Sequence, residues 1–302
     1  MREKFSTQTR EPVAGGSLLY YNRAMFDEAG VPYPDQNTDW NKFLELAQKV
    51  MRKSPDGRIL RYGMVWPGFY MDESLWYMIL WQYGGEVVRS EGDAYVLGRE
   101  PYLDVNVQAL QFFIDLSNKH QISPTSYELE QLRGVDLFKE GRAAMRLSGS
   151  WEPFVFRERP EFRWGYAPLP FLKKRVTCND GNPLVIPAGC KHPREAFEVA
   201  KYLCRGAYQK VVAETGRAIP AEIAVAESDL FRKSLAVDRS LMLQVAADGR
   251  RRAWKGKLSM YQLEIHEIEK RNVELAFLGR MSVRECILRI QSEVDNLLLR
   301  AG

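Results

Sequence analysis

Trp151 and Glu152 close a run of small residues, Ser148-Gly149-Ser150, that follows the stretch Phe138 to Leu147 (FKEGRAAMRL). An indole beside residues too small to cover it offers a flat apolar face. Such a face packs on the C–H side of a sugar ring for about 1 kcal/mol, while neighbouring polar groups such as the Glu152 carboxylate take the hydroxyls. A core aromatic is the other reading of Trp151, and the stretch alone leaves both open. Glu152 and Asp180 also raise glycosidase chemistry, in which two carboxylates stand about 5 Å apart for retention or about 6.5–9.5 Å apart for inversion. Neither separation is visible in a sequence. No G-x-S-x-G elbow, H-E-x-x-H pair, Walker loop or dinucleotide glycine loop accompanies the carboxylates, so we expect binding without catalysis.

Metal chemistry has little support. Cys178, Cys190, Cys204 and Cys286 lie far apart without C-x-x-C spacing, and only His120, His192 and His266 could join them. We expect no metal and no cofactor. Pairing of Cys178 with Cys190 in an oxidising compartment is left open by spacing. With 302 residues, 45% hydrophobic and 27% charged, the chain is long enough for two cores and is not disordered by composition. Net charge is only +4, and the one dense basic run, Arg250 to Lys257 (RRRAWKGK), matches no nucleic-acid motif. No apolar run reaches the roughly 20 residues of a membrane span.

The elements that must position Trp151 follow from periodicity. The residues before it read as a helix end, a turn at Gly141 and a short strand in which Met145 and Leu147 alternate with Arg146. Upstream, Ser17 to Asn22 predicts a strand and Arg23 to Gly30 a short helix with Gly30 at C′. Thr38 is the expected cap of a helix buried through Trp40, Phe43, Leu44, Ala47, Val50 and Met51. Tyr62 to Val65 predicts a strand, Asp72 to Tyr83 a helix buried nearly all round, and Val105 to His120 an amphipathic helix. Asp93 to Arg99 reads as a hairpin edge. Beyond Trp151 we expect strands at Phe162 to Pro170 and Leu184 to Ile186, the second one buried. A helix follows from Pro193 with Ala196, Phe197, Ala200, Leu203 and Cys204 inward. A long helix ends at Gly279, and the last opens with a Ser282–Glu285 capping box.

Several of these stretches together resemble one family. FKEGRAAMRLSGSW is similar to the phenylalanine, "G-[KR]-A-A-M", small-residue turn and tryptophan of the extracellular solute-binding proteins of ABC sugar importers, the family of maltose-binding protein. LLYYNRAMFDEAG resembles its "L-Y-Y-N-x-x-x-F-x-x-A-G" segment, and Gly84-Gly85 its "GG" after a buried helix. The resemblance implies an α/β, periplasmic-binding-protein-like type II fold of two lobes, with Trp151 stacked on the ligand. By position it also implies that Trp66 and Tyr70, in the loop before a buried helix, form secondary aromatic walls. Asp180, Gly181 and Asn182 would supply polar contacts, although Asn182-Pro183 interrupts the glycine-rich turn usual there.

Mapped on that family, residues 17–168 and 217–302 form one nearly complete lobe. Residues 1–16 and 169–216 are a remnant of the other, whose opening strands and helices have no counterpart, leaving an edge and apolar surface bare. The partners so implied are a carbohydrate and the permease subunits of an ABC importer, with no nucleic acid. The family is periplasmic or extracellular, but no apolar signal region follows Met1, so the expectation turns cytoplasmic if Met1 is the true start. Closure of two walls over a ligand is how such proteins bind. We therefore expect this chain to bind weakly or not at all, with a non-transport interaction module or inactive fragment as the alternative and a glycoside-acting enzyme behind it.

Overall fold

The computed structural model describes residues 13–14, 16–66, 73–89, 91–132, 134–157, 159, 161–178, 184–233, 235, 237–247, 249–250 and 254–300. In chain order the elements are β1 (Val13–Ala14), β2 (Ser17–Asn22), α1 (Arg23–Ala29), α2 (Trp40–Val50), β3 (Arg52–Lys53), β4 (Ile59–Val65), α3 (Glu73–Tyr83), α4 (Leu103–Asn118), α5 (Ser126–Gln131), β5 (Ala143–Gly149), α6 (Glu152–Phe156) and β6 (Trp164–Pro168). There follow α7 (Pro193–Leu203), α8 (Ala207–Thr215), β7 (Ile219–Pro220), α9 (Ile223–Ala226), α10 (Asp229–Lys233), α11 (Ser240–Ala247), α12 (Lys257–Met260), α13 (Gln262–Phe277) and α14 (Val283–Arg300).

Two compact units divide the chain. The larger holds Leu19–Ser148, Phe162–Cys178 and Arg250–Gly302, and the smaller Met1–Leu18, Gly149–Glu161 and Asn179–Gly249. These boundaries differ from the lobes expected by resemblance: residues 17–18, 149–161 and 217–249 join the smaller unit, and 169–178 the larger. Pairing accounts for part of the difference. β1 runs antiparallel to β7, Val13 opposite Pro220, which ties the region after residue 216 to the start of the chain.

In the larger unit five strands form one sheet in the order β3-β4-β5-β2-β6, with β4 and β5 parallel and Met64 opposite Met145. Every residue of β5 is buried, Arg146 included, so the expected alternation is absent. A parallel strand covered on both faces has no solvent side to give its polar residues. Arg146 is accommodated by an ion pair with Asp136 and by the Phe138 ring, 5.4 Å from its guanidinium carbon. The residues before β5 are a turn, not a helix end: the amide N–H groups of Arg142 and Ala143 both donate to the Leu137 carbonyl.

In the larger unit the predicted helices form, and α2 buries Trp40, Phe43, Ala47 and Val50 of its expected face together with Leu46, while Leu44 and Met51 are half-buried. α1 ends at Gly30 in the left-handed region (φ 63°), its N–H returned to the Phe26 and Asp27 carbonyls. The cap of α2 is Asp39, which accepts the Lys42 N–H at 2.7 Å. Thr38 is one residue too early, and its hydroxyl donates to Asp35 instead. α13 and α14 pack beside α3 and α4, and the inward Glu269 of α13 accepts the hydroxyls of Tyr77 and Tyr95 at 2.6 and 2.5 Å. The Ser282–Glu285 capping box forms as expected, Glu285 accepting the Ser282 N–H and Ser282 accepting that of Glu285.

The smaller unit has a modest core of Phe156, Val212, Ala213, Ile219, Phe231, Met242 and Val245. Polar groups pin it. Gln209 donates to the Leu203 carbonyl and accepts from the Ala221 N–H, while Arg239 donates to the Ala213 carbonyl and lies over the Phe231 ring. Residues 184–186 are not the expected buried strand: they carry no regular structure, and Val185 is 79% exposed. α7 forms where predicted, but none of its residues is buried. Cys178 and Cys190 are not joined by a disulfide, and neither Cys204 nor Cys286 takes part in one.

Candidate functional site

Trp151 sits immediately after β5, where the last strand residue, Gly149, and Ser150 carry the chain out of the sheet and into α6. Its backbone is helical (φ −85°, ψ −11°), and its carbonyl accepts the Phe154 N–H, so the residue is the first step of the helix. The side chain is 50% exposed. That value rules out the core reading of Trp151 left open above: the indole stands half-exposed at the surface.

The helix that carries the ring is fixed from beneath. Glu152, Pro153 and Phe156 of α6 are buried. Proline near a helix start loses only an N–H that has no helical partner and brings φ already set. Pro153 lies against Gly216, the left-handed C-cap of α8 (φ 70°), where a Cβ would stand 3.2 Å from the Pro153 Cβ and 2.7 Å from Leu235. One helical step beyond Trp151, the half-buried Phe154 ring carries two guanidiniums, Arg157 at 3.9 Å and Arg217 at 5.4 Å from its centroid. A guanidinium that rests over a ring retains N–H groups for oxygen acceptors.

Other predicted site residues fall differently. Trp66 is only 3% exposed, its ring 5.0 Å from that of Phe113 in the larger unit's core. It packs where an exposed wall was expected, because β4 runs as a buried strand up to Val65 and delivers Trp66 into the same core. Glu152 is 2% exposed, so it is not the exposed polar neighbour of the indole that was expected, and its separation from Asp180 lies outside the described residues. Tyr70, Asp180, Gly181 and Asn182 lie outside the described residues. Trp76 and Trp81 are buried, in keeping with packing roles. Missed in the sequence were α6 itself and the Phe154, Arg157 and Arg217 group. The Glu-Pro pair after Trp151 was the available signal for a helix start, whereas Arg217 is brought in by tertiary structure alone. Among the described residues no group of three or more His, Cys, Asp or Glu side chains is arranged to hold a metal ion, and no helix is long and apolar enough to cross a membrane.

Comparison with known proteins gives a consistent result. The family model of the bacterial extracellular solute-binding proteins matches residues 4–210. A protein of Brucella abortus named as a binding protein is 24% identical over 228 residues, 73% of this chain and 52% of its own length. The chain thus spans about half the length of the curated relatives it matches. Among solved structures, an ABC substrate-binding protein of Listeria monocytogenes in complex with cycloalternan aligns with a TM-score of 0.82 at 16% identity, over 95% of this chain and 71% of that one. Maltose-bound MalE3 of T. maritima aligns with a TM-score of 0.75 at 22% identity, over 95% and 72%. The maltose/maltodextrin-binding domain MalE of Bdellovibrio bacteriovorus bound to maltotriose gives 0.77 at 19%, again over 95% and 72%. At such identities the likeness establishes the fold: α/β, of the two-lobed periplasmic-binding type.

Proposed function

We propose a function from one premise: this chain belongs to the bacterial extracellular solute-binding proteins, whose family model covers residues 4–210. Its task is to hold a carbohydrate without altering it, outside the cytoplasmic membrane, for delivery to the permease of an ABC importer. Trp151 is the stacking platform. The Arg157 and Arg217 guanidiniums, both over the Phe154 ring of the same short helix, serve as donors for hydroxyls, and Tyr70 and Asp180 to Asn182 contribute from the loops expected by resemblance. The single observation that carries this reading is the half-exposed indole at the end of a sheet strand, at the start of a helix anchored by the buried Glu152, Pro153 and Phe156. Structural neighbours support the ligand class, since those described above hold cycloalternan, maltose and maltotriose.

Affinity of the 302-residue chain is expected near the millimolar range, about −4 kcal/mol, because α7 and residues 184–186 leave the smaller unit without cover on one side. Calorimetric titration with maltose, maltotriose, mannobiose and tagatose tests it. We expect weak heats with at least one sugar and a fall of roughly tenfold in Trp151→Ala, the loss of about 1.4 kcal/mol, the upper end of a ring contact's worth. Unchanged binding in that variant, or micromolar binding by the chain alone, overturns the proposal in its respective part. A second reading, a module that associates with its own copies, is favoured by the bare face of α7. Concentration-dependent sedimentation distinguishes it.

A further inference from the structure

We infer that Gly149 is a positioning residue for the Trp151 platform: it is glycine because the indole lies directly against its Cα. A Cβ built there would stand 1.9 Å from Cζ3, 2.2 Å from Cη2 and 2.3 Å from Cε3 of Trp151, three neighbouring atoms of the six-membered ring. Backbone geometry does not demand glycine at this place, since Gly149 is absent from the positive-φ residues. Room alone does. One side of the ring rests against the end of β5, which fits an indole that is 50% exposed.

This arrangement gives the platform one orientation before any ligand arrives. A tryptophan free to turn about its two side-chain torsions loses that freedom on binding, and a ring already seated does not. In Gly149→Ala the atoms in conflict are the far end of a side chain with other rotamers, so the ring swings off the strand end while the strand stays. The consequence for binding rests on Trp151 being the platform as proposed above. The seating of the ring does not.

Two readouts separate these. The first uses the full chain labelled with 5-fluorotryptophan, whose seven tryptophans give ¹⁹F resonances, with that of Trp151 assigned by its disappearance in Trp151→Phe. We expect Gly149→Ala to move the Trp151 resonance and leave the other six in place, whereas Ser150→Ala moves none appreciably. A stationary Trp151 resonance in Gly149→Ala overturns the inference. Should Gly149→Ala instead lower the melting temperature, the double variant Gly149→Ala/Trp151→Ala must melt with Trp151→Ala alone, because removing the ring removes the conflict. A double variant as unstable as Gly149→Ala overturns it too. The second readout is maltotriose titration. Affinity is expected to fall at least fivefold in Gly149→Ala and to fall no further when Gly149→Ala is added to Trp151→Ala. A full additional loss in that background means Gly149 acts on the ligand by another route. If the unmodified chain binds no sugar, the carbohydrate proposal fails by itself, and the ring's resonance and the stability cycle still decide the role of Gly149.

Discussion

Helices α2 and α7 have the same length of eleven residues, and both put their apolar side chains on one face, yet they have opposite fates. α2, in the larger unit, buries Trp40, Phe43, Leu46, Ala47 and Val50 against the sheet. Its backbone approaches so closely that a Cβ on Gly63 of β4 would lie 2.6 Å from the Ala47 carbonyl oxygen. α7, in the smaller unit, buries none of its residues, with Phe197 48% and Val199 60% exposed. An amphipathic pattern states which face needs cover. Whether the cover exists is a property of the rest of the polypeptide, and no pattern within eleven residues contains it.

The contrast has energetic content that can be broken. Phe43→Ala empties a fully buried site between α2 and β4 and should cost about 3–5 kcal/mol, read as a drop in the urea midpoint of the larger unit. A loss below about 1 kcal/mol would mean that α2 is no better covered than α7. A smaller effect comes from the edge of the same unit. Burial by itself raises the Glu128 carboxyl, but it accepts from the Thr125 N–H and hydroxyl and from the Tyr62 hydroxyl, and these bonds hold it below its ordinary value. The folded state therefore binds this proton less readily than the unfolded chain does. Its contribution is present above about pH 4.3 and is lost as pH falls through the lowered folded value. Glu128→Gln should cost roughly 1 kcal/mol at pH 7 as a weakened capping box. It should also flatten the decline of stability between about pH 5 and 3, measured by urea titration at each pH. An equally steep decline in the variant assigns the acid sensitivity elsewhere.

Local signals carried much of the larger unit. Ser17 to Asn22 is a strand, as its apolar run indicates, while Gly30 closes α1 and Ser282 with Glu285 caps α14 because each of these two depends on residues three or four apart. What was not legible depends on partners far away in sequence. Arg146 looked solvent-facing because alternation assumes one wet face, and β5 has none. Leu184 to Ile186 read as a buried strand because its residues are apolar, but a strand needs a neighbour to pair with, and none is paired with it among the described residues. At the candidate site the prominence of Trp151 was legible and the reason for its orientation was not. Gly149 looked like a loop breaker, and only coordinates reveal a ring resting on it. Trp66 shows the reverse case, an aromatic before a loop that the fold turns inward.

The smallest expected effect is also the sharpest test of the contrast. A phenylalanine on a covered helix face is worth several kcal/mol, and the same residue on an uncovered face is worth little, since it remains wet in both folded and unfolded states. Phe197→Ser together with Val199→Lys should therefore change the stability of the smaller unit by no more than about 0.5 kcal/mol, with far-ultraviolet circular dichroism unchanged. The same pair should reduce binding of a hydrophobic dye and any concentration-dependent association, because it removes two exposed apolar side chains of α7 that contribute to both. A loss of about 2 kcal/mol or more, on the scale of a core truncation, would mean that α7 is covered in solution, either by another part of this chain or by a second copy. Sedimentation of the unmodified chain across a hundredfold dilution tells those two apart: stability that falls with dilution requires a partner molecule, and stability that does not places the cover within the polypeptide.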